Sequence, residues 1–275
     1  MNINFVTVKG KRPENEDKHS IIMNLDNSNK EIATVNFLGV YDGHGGNFVS
    51  NFLSDILPNF FLDKRIKYPV CKNYIYQVYR YLQKNLKKNH MLETEHCGST
   101  CLIGIHYKKN NSDYLNVINA GDSRCVLCRD NFAIALTKDH KPDWPEEKFR
   151  IEELGGKIYK EGNDCWRIKD LAVSRSFGDF DAEPFVTSMP EIFRYKLDAN
   201  DKFIIFACDG LWDVMSNQDA VNFVLHNCYD FKNNMRTNKA NDTTAAQNNV
   251  ARKLANEALR LGSSDNLTII VYFLD

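Results

Sequence analysis

The chain carries two hydrophobic rhythms. Ile3 to Val8 alternates apolar and polar residues like a half-buried strand, and Ile21 to Leu25 forms a second short apolar run. Phe37, Leu38, Val40 and Tyr41 read as a buried strand, as do the continuous runs Phe203 to Cys208 and Leu267 to Phe273. From Gly98 three more strand patterns follow, GSTCLIGIHY, DYLNVINAGDSRCVLC and NFAIALT, punctuated by Asn110-Asn111 and Asp130-Asn131. Turn residues between apolar runs predict an antiparallel meander. The second rhythm is helical. Phe48, Val49, Phe52, Leu53, Ile56, Leu57, Phe60 and Phe61 recur at intervals of three and four, and Tyr74, Ile75, Val78, Tyr79, Leu82 and Leu86 repeat the pattern. These predict two antiparallel helices in one layer. A shorter helix is expected from Glu146 to Leu154, stopped by Gly155-Gly156, and another from Ala245 to Leu261. Between them, Trp166 to Asp179 reads as an irregular crossing back to the core.

Composition narrows the class without naming it. A chain of 275 residues with 43% hydrophobic content can bury a sizeable core, as one large domain or two small ones, and a net charge of −1 argues against a nucleic-acid platform. No apolar run is long enough to span a membrane, no basic-then-apolar leader opens the chain, and Asn2 breaks the myristoylation motif. A soluble cytoplasmic protein is expected, with the nucleus as an open alternative. The eight cysteines are scattered rather than spaced as a disulfide framework, which suits reduced, buried thiols. Cys125 and Cys128 form C-x-x-C, with Cys97 and Cys101 upstream, so zinc was weighed. Residues three apart on a strand point to opposite faces, and the pair is therefore not expected to chelate one ion.

The candidate chemistry lies at strand ends. Asp42 follows the Phe37–Tyr41 run and opens the glycine-rich turn Asp42-Gly43-His44-Gly45-Gly46; Asp209 follows Phe203–Cys208, with Asp213 four residues on; Asp265 precedes the last apolar run. Glu16 and Asp17 close RPENED, which begins with Arg12, ahead of the second strand. Asp122 sits in the tight turn Ala120–Ser123. Taken singly, Asp42 reads equally well as a helix-capping turn residue, Asp122 as a cap of its own turn, and RPENED as a solvated charged turn. Together they point elsewhere. Carboxylates massed at one sheet rim repel one another unless cations are held there, and oxygen ligands without a His/Cys cluster favour Mg²⁺ or Mn²⁺. Two such ions about 3.5 to 4 Å apart activate water and neutralise a phosphoryl group. Arg12 suits a grip on the free phosphate oxygens.

RPENED, VYDGHGG, GSTC, NAGDSRCVL, LTKDHKP, RIEELGG, LAVSRSFGD, ACDGLWDVM and SSDNLTIIV occur in the order found in metal-dependent protein phosphatases of the type 2C family, which the chain resembles over nearly its whole length. The resemblance implies an α+β fold, an αββα four-layer sandwich of two antiparallel sheets packed face to face with helices on both outer faces. It also implies one catalytic domain over residues 1–275, with the polar, Asn-rich stretch at 230–249 as an insertion. Its activity would be hydrolysis of phosphoserine and phosphothreonine in phosphorylated proteins, by direct attack of a metal-bridging hydroxide, in a monomer that binds neither nucleic acid nor membrane. Carried over by position, Asp42 bridges two Mg²⁺ or Mn²⁺ ions, Gly43 lends its carbonyl, and Asp209 and Asp265 complete the first site. Glu16 ligates the second ion, and Asp122 and Asp213 form a third, weaker site with Asp209. His44 becomes the general acid and Arg12 the phosphate clamp. Asp17 supports ligand waters, and Ser99, Thr100 and Asn266 brace the acids. The family commonly has a glycine shortly before LAVSR, where this chain has Ile168-Lys169-Asp170, so the flap there is expected to differ. Trp166 and the loop Glu161–Asp164 are candidate substrate contacts. No Cys-x5-Arg loop of a cysteine phosphatase is present. Two rival readings are a catalytically inactive phosphatase-fold binding or regulatory module, and a two-metal nuclease.

Overall fold

The longest apolar runs are buried on both faces because two sheets stack between two helical layers. The computed structural model describes residues 3–25, 27–29, 31–161, 165–230, 235–237 and 249–274. Its main elements, in chain order, are β1 (Ile3–Val8), β2 (Lys18–Leu25), β3 (Ile32–Tyr41), α1 (Phe48–Ile56), α2 (Lys72–Asn89), β4 (Cys101–Lys109), β5 (Ser112–Ala120), β6 (Arg124–Arg129), β7 (Phe132–Ala135), α3 (Pro145–Glu153), β8 (Glu191–Lys196), β9 (Asp201–Ala207), α4 (Asn217–Cys228), α5 (Val250–Arg260) and β10 (Leu267–Phe273). One five-stranded sheet has the order β1-β10-β9-β6-β7 and the other β8-β5-β4-β3-β2, and every neighbouring pair in both is antiparallel.

Strand alternation sorts the side chains into three apolar layers. On β3, Phe37 and Tyr41 face a core shared with Val49 and Leu53 of α1 and Ile75, Tyr79 and Leu82 of α2. Leu38 and Val40, between them, face the other sheet and meet Ile204, Phe206 and Ile270. On β9 and β10 the complementary set, Phe203, Ile205, Ile269 and Val271, packs on Val221 and Val224 of α4 and Leu254 and Ala255 of α5. A strand sandwiched in this way needs apolar residues at consecutive positions, which is why these segments lack polar alternation. Each such side chain adds about 1.5 to 3 kcal/mol relative to exposure. The same alternation separates the two thiols of C-x-x-C: Cys125 lies in the layer between the sheets and Cys128 in the layer under α4 and α5.

The expected elements form with three adjustments. The first helix ends at Ile56, and Leu57–Phe60 continues as a 3₁₀ turn with Pro58 near its start, because proline supplies no amide hydrogen to the α ladder. The crossing from Trp166 is partly regular, since Cys165–Arg167 pairs with Tyr159–Glu161 as a small antiparallel ribbon. In the Asn-rich stretch, Asp230 with its neighbour Tyr229 pairs with Met235 and Arg236. Residues 231–234 and 238–248 of that stretch, including 245–248 of the expected final helix, and residues 162–164 of the acidic loop lie outside the described residues. Among the described residues, no helix is long and apolar enough to cross a membrane.

Candidate active site

Three strand ends deliver acids to one cleft. Asp42 follows β3, Asp209 follows β9 after Cys208, and Asp265 precedes β10 by two residues. The cleft holds about 650 Å³ and is lined by Arg12, Glu16, Asp42, Gly43, His44, Asp122, Asp209 and Asp265, with Arg167, Asp170 and Leu171 from the flap side. Carboxylate oxygens of Asp42, Asp122 and Asp209 all lie within 4.8 Å of one another. Asp42 does not cap a helix: α1 starts after Asn47, and no side chain caps it. The backbone of Asp42 is fixed from the side, since Thr100 N–H donates to Asp42 O at 2.8 Å and Asp42 N–H donates to Thr100 Oγ1 at 3.2 Å. Thr100 thus braces the main chain of Asp42, whereas Ser99 pairs with Gly43 and Phe177 through short strand bridges.

One side chain holds the RPENED loop at three points. Asn266 Nδ2 donates to Lys9 O at 2.8 Å and Glu14 O at 2.9 Å, and Asn266 Oδ1 accepts from Glu16 N at 2.8 Å. The loop therefore presents Arg12 and Glu16 to the cleft from a position fixed by the residue beside Asp265. Gly43 allows Glu16 to come close, because a Cβ there would lie 2.5 Å from Glu16 O. Arg12 Nη2 donates to Asp265 Oδ2 at 2.7 Å, with the Arg12 side chain 56% exposed at the rim. Asp213 differs from the others. It is exposed at the end of the one-turn helix Asp209–Trp212 and is not among the side chains lining the cleft.

The electrostatics ask for positive charge. Burial, reinforced by Asp17, Asp209, Asp122 and Asp265, pushes the Asp42 pKa well above the usual carboxylate range. Burial and Asp122 do the same to Asp209. Asp17 is 1% exposed, neither of its oxygens has a hydrogen-bond partner among the described residues, and burial raises its pKa to about 6. A buried carboxylate without a donor is costly unless a cation or its water completes the shell. The all-oxygen donor set and the orphaned Asp17 thus fit a hard divalent ion. Besides Arg12, the protein supplies a lysine: Lys141 Nζ pairs with Asp122 and lies 3.9 Å from Asp209 Oδ2. Burial opposes its charge, but these acids override burial and raise its pKa.

Two partners fall outside the predicted site residues. Asp179, 135 residues from His44, meets His44 Nε2 through Oδ1 at 3.0 Å and Oδ2 at 2.8 Å. Burial lowers the His44 pKa and Asp179 outweighs it, so the net shift is upward. Glu147 on α3 accepts from Arg150 Nη2 at 2.9 Å and Arg175 Nε at 3.0 Å. The two arginines in turn donate to the carbonyls of Phe185, Ser174 and Met189, which ties the chain behind the flap to α3. Arg175 and Asp179 both belong to LAVSRSFGD, so the signal was present without a role attached.

The likenesses to known proteins agree with this geometry. The Protein phosphatase 2C family profile matches residues 1–267. A PP2C-like domain-containing protein of Acanthamoeba polyphaga mimivirus is 46% identical over 172 residues, 58% of this chain and 93% of that protein. Probable protein phosphatase 2C 71 of Arabidopsis thaliana is 35% identical over 98% of this chain, which spans 55% of that relative's length. The human integrin-linked kinase-associated serine/threonine phosphatase 2C is 32% identical over 96% of this chain and 70% of its own length. The fold is similar to a serine-threonine phosphatase 2C from Toxoplasma gondii, with TM-score 0.70, 22% identity, and coverage of 98% of this chain and 99% of that one. A C. elegans sex determining protein gives TM-score 0.79 at 22% identity, covering 99% of this chain and 64% of that one. A family match along nearly the whole chain, on a two-sheet sandwich with acids gathered at one edge, makes this chain a member of the protein phosphatase 2C family.

Proposed function

We propose that the chain is a single catalytic domain that removes phosphate from phosphoserine and phosphothreonine in proteins, transferring it directly to water with the help of Mg²⁺ or Mn²⁺. The observation that carries this reading is the meeting of Asp42, Asp122 and Asp209 within 4.8 Å in a cleft that also bears Arg12 and His44. Asp42, Asp209 and Asp265, with Glu16 and the Gly43 carbonyl, would hold two ions, and Asp122 and Asp213 with Asp209 a weaker third. When bound, the ions supply an activated water and neutralise phosphoryl charge. Arg12, anchored by Asp265, binds the non-reacting phosphate oxygens and orients the phosphorus towards the acids. His44 gives a proton to the departing serine or threonine oxygen. The reading places the protein as a monomer in the cytoplasm or nucleus. An inactive binding module has no need of this set of acids and cations.

Phosphate release from a phosphothreonine peptide by the purified chain, with Mn²⁺ or Mg²⁺ and with chelator, tests the reading. Metal-dependent release is expected. A folded chain inactive with every metal would leave the binding-module reading in its place, and release of nucleotides from DNA or RNA would favour a nuclease. Within this reading, His44→Ala should lower kcat on the phosphopeptide by about a hundredfold, the low end for a general acid. On 4-nitrophenyl phosphate, whose leaving group departs without a proton, the loss should stay below about tenfold. Equal losses in steady-state kinetics on the two substrates would remove the acid role.

A further inference from the structure

We propose that Asp179 is the positioning residue for His44: it takes up Nε2, so the imidazole presents Nδ1 to the leaving oxygen. The inference rests on the phosphatase reading above and adds a residue and an atom to it. Two neighbouring bridges bring the pair together. Gly43-His44 pairs with Gly98-Ser99, and Gly98-Ser99 pairs with Phe177-Gly178, so Asp179 leaves the third strand directly across Gly98 from the imidazole. The two side chains meet over Gly98. A Cβ at that position would lie 2.1 Å from Asp179 Oδ2 and 2.5 Å from His44 Nε2, so only glycine leaves them room.

Several features of Asp179 exceed what a turn requires. Its backbone is left-handed, with φ 51°, a conformation that non-glycine residues keep when their surroundings hold them there. Its amide donates to Cys97 O at 3.2 Å, and Ser176 Oγ donates to Oδ2. The carboxylate is 1% exposed, and it does not cap the 3₁₀ turn Phe180–Ala182 that follows. A buried carboxylate aimed at one ring nitrogen fixes the tautomer and orientation of the ring. With Nε2 engaged at 2.8 and 3.0 Å, Nδ1, which makes no hydrogen bond to a described residue, is the nitrogen left for the cleft that His44 lines.

Asp179→Asn, assayed as the full chain with Mn²⁺, tests this. The variant should lower kcat on a phosphothreonine peptide by about 10- to 100-fold, the range for losing a residue that orients an active group. KM should change little, and the loss on 4-nitrophenyl phosphate should be smaller by about a factor of ten. The double variant His44→Ala/Asp179→Asn should be no slower than His44→Ala alone, because the two act as a unit. Equal losses on both substrates, a loss carried by KM, or losses that multiply in the double variant would overturn the proposal. If Asp179→Asn fails to fold by circular dichroism, Ser176→Ala, which removes one donor to Asp179, takes its place. A loss of about threefold or more confined to the peptide supports the proposal, and an equal loss or none overturns it. Wild-type protein inactive on both substrates overturns the phosphatase reading and this inference with it, whereas an active wild type with uniform losses overturns this inference alone.

Discussion

Asp42→Asn is expected to lower phosphatase activity by about 10³-fold, the scale of losing a central electrostatic anchor of a reacting group, while raising the thermal stability of the metal-free protein. Both effects come from one charge. Asp42 is half-buried beside Asp17, Asp209, Asp122 and Asp265, so without ions its carboxylate is held against desolvation and like charges. Asparagine keeps the shape and removes the repulsion. In chelator, the variant's Tm should rise by about 2 °C or more, the shift that roughly 1 kcal/mol makes in a chain of this size. On adding Mn²⁺ the order should reverse, because wild type gains more from an ion that binds only the folded state. Calorimetry with and without Mn²⁺, beside activity, checks both. A variant that loses activity and melts lower in chelator would mean that Asp42 is a structural residue.

Glu147→Ala is expected to be the most destabilising of these substitutions, at about 3 kcal/mol, the low end of what breaking a buried ion pair costs. The Glu147 side chain is 2% exposed, and its loss leaves Arg150 and Arg175, at 27% and 15%, without a counter-ion. Tm should fall by roughly 6 to 12 °C. A pH signature separates this from simple loss of packing. Burial raises the Glu147 pKa, but hydrogen bonds from Arg175 lead the opposing causes, and the net result is a fall from 4.5 to about 2. A carboxylate with a depressed folded pKa stabilises fully above its unfolded pKa and loses that contribution as pH falls towards the folded value. The window is therefore about pH 4.5 down to 2, and the contribution at stake is about 2 kcal/mol after allowance for solvent screening. Urea midpoints of wild type and Glu147→Gln should draw together as pH drops from 5 to 2.5. A constant gap would show that the carboxylate's charge contributes nothing.

The layers of the fold were legible because they follow from local pattern. Phe203–Cys208 and Leu267–Phe273 announce strands buried on both faces, and Val49 and Leu53 announce a helix face. The acids were legible for a related reason: Asp42, Asp209 and Asp265 each stand where an apolar strand meets solvent. Contacts that depend on distant turns were not legible. Asp179 reaches His44 only because three two-residue strands meet at Gly98, and segments that short carry no periodicity. Lys141 lies within LTKDHKP, and nothing local shows that it reaches Asp122. Asn266 was expected to brace the acids, and its amide does donate to Asp265 Oδ1 at 2.7 Å; its side chain also bonds the main chain of residues 9, 14 and 16, a role visible only once β10 is placed beside that loop.

The central claim is that the acids at this sheet edge hold the ions that make the chain a phosphatase. Titrating Mn²⁺ into chelator-treated protein, and following bound Mn²⁺ by electron paramagnetic resonance and phosphopeptide hydrolysis in the same samples, tests it most directly. The account predicts that activity rises from zero as a second ion binds, and that Asp42→Asn loses bound Mn²⁺ and activity together. Full activity in metal-free protein, or unchanged Mn²⁺ binding in Asp42→Asn, would contradict it.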